Sequence, residues 1–189
     1  AYWQFRYGWG LPTPVALLLV LGVLGPLMGL ALYVLIMRGM RNTAEVTKIV
    51  VTVSILLGML SVSHWFWHPE QARTMTMFFG DQAKIDIFGV GIRYHELICI
   101  AVAVLIAIGL RVMFTRTRSG VAMRGVVDDP DLLRLNGHDP DRLAALSWML
   151  GSTLAVLAGI LVTPINGGTL EANMLTLLVI DAFAAAMFG

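Results

Sequence analysis

The side chain with the clearest potential for chemistry is Asp181, the one carboxylate well inside an apolar run of this chain. A charged residue at the centre of a bilayer costs about 2.5 kcal/mol or more, so an acid there usually has a function. Asp181 would then line a substrate path or relay protons. We favour the alternative that its helix is short or re-entrant, so that the carboxylate meets water or an arginine of a partner.

Histidine and cysteine offer metal or redox chemistry, but their spacing does not support a site. His64 and His68 lie one helical turn apart, which suits a metal, yet no third ligand is visible and Pro69 ends the helix. Cys99 is the single cysteine, so it forms no internal disulfide and is expected to be a small buried residue. We therefore predict no metal site and no cofactor bound by this chain.

The sequence has no motif for hydrolysing ATP. A phosphate-binding loop needs Gly-Lys-Ser or Gly-Lys-Thr, and neither Lys48 nor Lys84 follows a glycine. Serine, histidine and acidic residues show no grouping typical of a hydrolase. A net charge of +1 at pH 7 gives no reason to expect nucleic-acid binding. Any energy that this protein uses must therefore come from a partner or from an ion gradient.

The elements that position these residues are predicted to be membrane-spanning helices. The chain is 58% hydrophobic and 13% charged, against about 25% charged residues in soluble domains. A bilayer core roughly 30 Å thick requires about 20 apolar residues per helix. The sequence therefore predicts an all-α, polytopic helical bundle in the lipid bilayer, with spans at 11–37, 46–67, 96–114, 144–165 and a short one at 174–189.

Arginine and lysine residues set the predicted orientation, because cationic residues near spans resist translocation. They concentrate after the first span and in the loop 115–143, whereas the loop 68–95 holds few. The first two regions are therefore predicted to be cytoplasmic, in a multi-pass membrane protein. Pro26 marks a site where the long first span can bend.

Small residues predict close helix packing, because they let two backbones approach each other in lipid. The first span has Gly25 and Gly29 four residues apart. The fourth span has a longer pattern, which we call the small-residue ridge and which predicts contact with another helix. Chance is a live alternative for the pair and a weak one for the ridge. The ridge comprises Ser147, Gly151, Ala155, Gly159 and Thr163.

The polar loop 115–143 has the start and stop signals of a short amphipathic helix. Asp129-Pro130 supplies an N-cap and a first-turn proline, and Asn136-Gly137 supplies a stop. Asp139-Pro140 repeats the start signal and opens the fourth span. The helix would dock on a partner protein or lie on the bilayer surface with its leucines among the headgroups. Its predicted apolar face consists of Leu132, Leu133 and Leu135.

The loop 68–95 contains an alternation typical of strands. Ile85 and Ile87 alternate with polar residues before a glycine-bearing turn and Ile92. This pattern predicts a small external β-hairpin. Such a hairpin would help to seat an external partner protein or would simply cover the bundle, and the sequence leaves both open.

Several motifs, distributed over nearly the whole chain, carry a resemblance to a known family. They are Gly120-Val-Ala-Met-Arg-Gly-Val-Val-Asp-Asp-Pro with its continuation to Leu143, Leu157-Ala-Gly-Ile-Leu, Arg38-Gly-Met-Arg, Val51-Thr-Val-Ser-Ile-Leu-Leu, Ile87-Phe-Gly-Val-Gly-Ile-Arg-Tyr and Asp181-Ala-Phe-Ala-Ala-Ala-Met-Phe-Gly. In these motifs the chain resembles the membrane permease subunits of branched-chain amino acid ABC importers. The polar-loop motif is the most distinctive of them.

The resemblance implies a permease subunit that begins after the first membrane helix and lacks the last helices. It implies a second permease subunit or domain, two ATP-binding subunits that use ATP and Mg, and an external substrate-binding protein. The polar-loop helix would couple the permease to an ATPase subunit, although the family's loose Glu-Ala-Ala signature departs here to Asp-Leu-Leu. The candidate coupling residues are Asp129, Pro130, Asp131, Leu132, Leu133, Arg134 and Gly137.

The sequence thus predicts a transport subunit rather than an enzyme, in an ATP-driven importer for branched-chain or other hydrophobic amino acids. The competing class is a proton-coupled secondary transporter or channel that uses Asp181, for which uptake would persist without ATPase partners. A purely structural membrane subunit is a further hypothesis, for which altering Asp131 or Gly137 would leave transport intact.

Overall fold

The computed structural model describes residues 2–40, 43–66, 75, 84–87, 90–128, 130–165, 179–182 and 184–187. Helices make up nearly all of this part of the chain. They are α1 (Thr13–Leu19), α2 (Gly25–Leu35), α3 (Glu45–Phe66), α4 (Tyr94–Arg116), α5 (Arg118–Asp128), α6 (Pro130–Leu135) and α7 (Pro140–Ile165), with π-helical turns at Gln4–Gly8 and Val20–Leu24, a 3₁₀ turn at Met37–Met40, and strands β1 (Lys84–Ile87) and β2 (Val90–Arg93).

Within the described residues, four helices are long and apolar enough to cross a membrane. They are Thr13–Met40, Val46–Phe66, Tyr94–Arg116 and Pro140–Ile165. This is the all-α, polytopic architecture that the apolar runs predict. The predicted fifth span is helical at 179–182 and 184–187, and its remaining residues lie outside the described part of the chain.

The first spanning helix changes geometry immediately before Pro26. Proline has no N–H to donate, and in a regular α-helix its ring collides with the carbonyl four residues earlier. The wider π turn at Val20–Leu24 accommodates this ring, and within it the Gly25 N–H reaches back to the Val20 carbonyl. The predicted bend site at Pro26 thus takes the form of a π turn.

Within the described residues, the most extensive contact between two spanning helices is that of α2 with α7. A Cβ added at Gly29 would overlap the backbone carbonyl of Trp148, and one added at Gly25 would lie 3.1 Å from the Thr153 Cα. The Ser152 hydroxyl donates to the Gly25 carbonyl at 2.6 Å. The close packing predicted from the Gly25 and Gly29 pair is therefore confirmed.

The small-residue ridge of α7 lies beside this contact and not in it. Within the described residues, nothing lies within 4 Å of a Cβ added at Gly151 or Gly159. Ser147 and Thr163 donate their hydroxyls to carbonyls of α7 itself. Among the described residues these two glycines make no helix contact, because α7 turns its Trp148 and Ser152 stripe towards α2. Contact of the ridge with another helix stays a prediction.

Two small clusters of buried side chains stabilise the bundle. One lies near the N-terminal end of the first span, where Tyr2, Ala16, Val20 and Ile160 pack with Met75. The other lies in the polar loop, at the C-terminal end of α4, and is described with the site below.

The predicted hairpin is present and leads directly into α4. Strands β1 and β2 pair antiparallel, with Ile85 opposite Ile92, while the turn residues 88 and 89 lie outside the described part. The Arg93 N–H then donates to the Glu96 carboxylate at 3.4 Å, which caps the first turn of α4. The hairpin is therefore continuous with the third span.

Candidate functional site

The polar loop between α4 and α7 contains two helices, of which the sequence predicts only the second. The first, α5, folds back on the end of α4 at a corner formed by Thr117. The Thr117 hydroxyl donates to the Met113 carbonyl at 2.7 Å and accepts from the Gly120 N–H at 3.0 Å. A Cβ at Gly120 would overlap the backbone of Met113 and Phe114. Glycine at position 120 therefore permits the close approach at this corner.

The inner face of α5 anchors the loop on both neighbouring spans. Ala122 and Met123 are buried together with Leu143 of α7. Met113 of α4 and Leu150 of α7 pack around them. A signal for α5 exists in the sequence, since Ala122, Met123 and Val126 follow the helical spacing of an apolar face, but the cap signals of the next helix overshadow it.

The second helix of the loop, α6, ends at a well-formed Schellman motif. Gly137 has φ +80°, its N–H donates to the Arg134 carbonyl at 2.9 Å, and the His138 N–H donates to the Leu133 carbonyl at 3.2 Å. The stop predicted from Asn136-Gly137 is confirmed. At the other end, α6 begins at Pro130, as predicted. Asp129 and the side chains of Pro130 and Asp131 lie outside the described residues.

The leucines of α6 do not share one face, which corrects the sequence-based expectation. Leu133 points inward, where its methyl group lies 3.2 Å from the position of a Cβ at Gly125. Leu132 and Leu135 are one turn apart on the other side and are 58% and 85% exposed. The helix therefore uses one leucine to hold itself on α5 and presents two leucines, together with the exposed Arg134, to its surroundings.

The loop ends at a capped helix start that is tied to the first span. The Asp139 carboxylate accepts from the Asp141 N–H at 3.0 Å and pairs with Arg142 at 3.4 Å, so the predicted N-cap of α7 is confirmed. The buried Tyr33 hydroxyl donates to the Asp141 carboxylate at 2.9 Å. The sequence gives no signal for this hydrogen bond, because its partners are 108 residues apart.

A second unpredicted polar contact joins the other end of α7 to α4. His95 is buried, and its Nε2 lies 2.9 Å from the Leu161 carbonyl, which can only accept, so Nε2 donates. The Cys99 thiol lies 3.8 Å from the same carbonyl and is only half-buried, less than the sequence suggests. Sequence inspection singles out the cysteine, whereas the histidine makes the shorter bond.

The remaining candidate residues are not brought together with the loop. Asp181 is exposed in the helical segment 179–182, and its role in a substrate path stays a prediction. His64 is exposed near the end of α3, while His68 lies outside the described residues. Among the described side chains, no three His, Cys, Asp or Glu residues come close enough to hold a metal ion.

The geometry of the loop is suited to transmitting a displacement. Helix α6 ends in a C-terminal cap, packs through Leu133 on α5, and is joined to α7 by the short segment 136–139. Helix α5 packs in turn on α4 and α7, and Asp141 connects the start of α7 to Tyr33 on the first span. A displacement of the exposed face of α6 would therefore be transmitted to three spanning helices through packed and hydrogen-bonded contacts.

Comparison with known proteins gives a family for this chain. Residues 2–189 match the family described as the permease component of branched-chain amino acid transport systems. The chain is 27% identical over 187 residues to the probable branched-chain amino acid transport permease protein LivH of Methanocaldococcus jannaschii, covering 93% of this chain and 56% of the relative. It is 31% identical over 101 residues to the high-affinity branched-chain amino acid transport system permease protein BraD of Pseudomonas aeruginosa, covering 53% and 33%. The chain thus spans about half the length of the first relative and a third of the second, and no solved structure matches it.

Proposed function

This chain belongs to the family of permease components of branched-chain amino acid transport systems, and we propose that it is a membrane subunit of an ATP-driven importer for branched-chain or other hydrophobic amino acids. It acts in transport and is not itself an enzyme. The observation that carries the proposal is α6, a capped helix anchored on the spans that presents two exposed leucines. The predicted family resemblance is confirmed, and the coupling role is inferred from the geometry of the loop.

The exposed face of α6 supports docking on an ATPase subunit. Fully burying a leucine contributes about 1.5–3 kcal/mol, so Leu132 and Leu135 together would supply a substantial part of a docking energy. The helix has little freedom to lose on docking, since its C-terminal cap and the inward Leu133 already fix it. A preorganised helix of this kind suits a joint that must transmit force in both directions.

The proposed assembly contains the partners that the resemblance implies. A second permease subunit or domain encloses the substrate path, two ATP-binding subunits hydrolyse ATP with Mg, and an external protein delivers the substrate. The chain itself binds no cofactor in this scheme. We place it in a bacterial plasma membrane, with the loop 115–143 in the cytoplasm and the β-hairpin outside, because cationic residues concentrate on the loop side.

Within this assembly, closure of the ATPase subunits would move α6. The Ala122, Met123 and Leu143 cluster would pass that movement to α4 and α7, and the hydrogen bond from Tyr33 to Asp141 would pass it to the first span. Packed contacts of this type shift between discrete arrangements rather than deform continuously. Alternating access of the substrate path would follow from that shift.

The test is co-purification of the tagged, full-length subunit from its native membrane. The variant Leu132→Gln/Leu135→Gln removes the apolar docking face, and Leu132→Met/Leu135→Met retains it as a matched control. We expect ATP-binding subunits to accompany the wild type and the methionine variant and to be lost from the glutamine variant. Leucine uptake into vesicles should fall in parallel.

The competing transporter class makes the opposite prediction. Uptake that is unchanged in the glutamine variant, persists without ATP, and collapses with the proton gradient and in Asp181→Asn would replace the importer with a proton-coupled carrier. Unchanged recovery of the ATP-binding subunits with both variants would place the docking face elsewhere on the chain.

A further inference from the structure

A cavity with a mixed apolar and cationic lining opens where the end of α4 meets the two loop helices. Its volume is about 600 Å³. Both ends of the corner between α4 and α5 contribute a guanidinium group, and the segment that follows α6 contributes an amide and an imidazole. Apolar side chains from α5 and α6 line the rest. The residues concerned are Arg116, Arg118, Asn136, His138, Val121 and Leu133.

The described lining of the cavity is cationic, and no described side chain neutralises its charge. Arg116 and Arg118 are exposed, and in the part of the chain that the structure describes no carboxylate lies within 4 Å of either guanidinium. The nearby Asp139 is already engaged by Arg142 and by the first turn of α7. The described lining contains no acidic side chain. Two adjacent guanidinium groups in this setting favour an anion.

The position of the cavity along the membrane normal matches the headgroup layer of a bilayer. Arg116 is the last residue of α4, which has 23 residues. At about 1.5 Å per residue this helix is about 34 Å long, slightly more than a hydrocarbon core of roughly 30 Å. If α4 spans the membrane, its two ends lie at the headgroups. The cavity at its end therefore opens at the level of lipid phosphates.

An apolar stripe on α4 leads from the hydrocarbon core to this cavity. Leu105, Ile108 and Val112 are all at least half exposed, at 68%, 55% and 50%. Their spacing of three and four residues continues to Arg116, so all four side chains share one face of the helix. A cationic cavity at the end of an exposed apolar stripe fits an amphiphile better than a soluble anion.

We propose that this cavity binds the phosphate of an anionic phospholipid, whose acyl chains lie along the Leu105, Ile108 and Val112 stripe. The two arginines hold the phosphate oxygens in bidentate fashion. The Asn136 amide donates one hydrogen to the Leu132 carbonyl at 3.0 Å and has a second hydrogen for the headgroup. Because Asn136 and His138 directly follow α6, the bound lipid would also fasten α6 to the membrane surface. The proposal does not depend on which substrate is transported.

The experiment measures phosphatidylglycerol binding to the full-length subunit in neutral detergent micelles, with bound lipid counted by native mass spectrometry. Each arginine near an anionic surface contributes a factor of roughly five in affinity, so Arg116→Gln/Arg118→Gln should weaken phosphatidylglycerol binding roughly 25-fold. Phosphatidylcholine binding should be unchanged. The charge-matched control Arg38→Gln/Arg124→Gln, which alters two exposed arginines outside the lining, should bind like the wild type. Arg116→Lys/Arg118→Lys should retain most of the affinity and shows that the site folds.

Three results would overturn the proposal. Equal weakening by both glutamine pairs would show a diffuse charge effect without a site. Displacement of the lipid by inorganic phosphate at comparable affinity would assign the cavity to a soluble anion. Unchanged lipid binding combined with loss of ATP-binding subunits in Arg116→Gln/Arg118→Gln would assign the arginines to a protein partner.

Discussion

Two glycine patterns with related spacing have opposite surroundings in this molecule. Gly25 and Gly29 of the first span are pressed against the backbone of α7. Gly151 and Gly159 belong to the more regular pattern, yet within the described residues they have open space where a Cβ would be. Small-residue spacing therefore identifies a face on which another helix can approach closely. The side chains at the interface of the two helices determine whether that face forms the contact.

The partner's hydroxyl groups explain the choice in this case. Ser152 lies next to the ridge and donates to the Gly25 carbonyl of α2 at 2.6 Å. In lipid a polar side chain is stabilised by an acceptor on its own or a neighbouring helix. A rotation of α7 that placed Gly151 against α2 would move Ser152 away from this carbonyl. The ridge instead lines an open apolar cleft of about 670 Å³ beside α2.

The largest effect expected from this comparison is at Gly29. Gly29→Leu would force a side chain into the Trp148 carbonyl. It should lower the free energy of unfolding of the subunit by about 3 kcal/mol or more. The matched variant Gly151→Leu should have little effect. Thermal unfolding in detergent, followed by circular dichroism, measures both. Equal losses for the two variants would contradict the assignment of the α2 and α7 contact.

A third close-approach glycine, Gly120, lies in the polar loop. Gly120→Ala would overlap the backbone at the α4 and α5 corner and should cost about 1–3 kcal/mol. Gly109→Ala on the neighbouring helix α4 is the control, because among the described residues nothing lies within 4 Å of a Cβ at Gly109. Limited proteolysis of the loop should speed up only in Gly120→Ala. Resistance equal to that of the wild type would mean that the corner adapts.

Gly137 resembles Gly151 in having no described atom near the position of a Cβ, but it differs from Gly151 in its backbone conformation. Its φ of +80° disfavours any side chain with a Cβ, so Gly137→Ala should cost about 1–2 kcal/mol. Gly137→Asn should cost less, since asparagine tolerates this region. Chemical denaturation measures both variants, and a stability order with alanine above asparagine would refute the conformational explanation.

The smallest expected effect separates two serines of α7. Ser152→Ala removes a hydrogen bond between helices and should cost about 0.6 kcal/mol. Ser147→Ala removes only a bond to the Leu143 carbonyl of the same helix and should be close to neutral. Thermal unfolding of each single serine variant, and of each one combined with Gly29→Ala, would resolve the difference. Additive losses for Ser152 and Gly29 would show that the two do not share one contact.

Features that depend on local bonding or on the bilayer could be predicted from the amino-acid sequence. Apolar runs must become spanning helices, because a bilayer accepts few other structures. The caps at Asp139 and Gly137 and the pairing of Ile85 with Ile92 follow from bonds between residues that are near in sequence. The π turn before Pro26 follows from a missing N–H. In each case the competing conformations differ within a few residues of chain.

Which faces of the helices contact one another depends on tertiary packing. It turned Ser152 and not Gly151 towards α2, held Leu133 inward while exposing Leu132, and joined Tyr33 to Asp141. The cationic cavity also exists only because α5 folds back under the end of α4. These outcomes depend on how helices rotate against one another. That rotation is set by many small packing and hydrogen-bond terms between residues far apart in the chain, which periodicity in one segment does not encode.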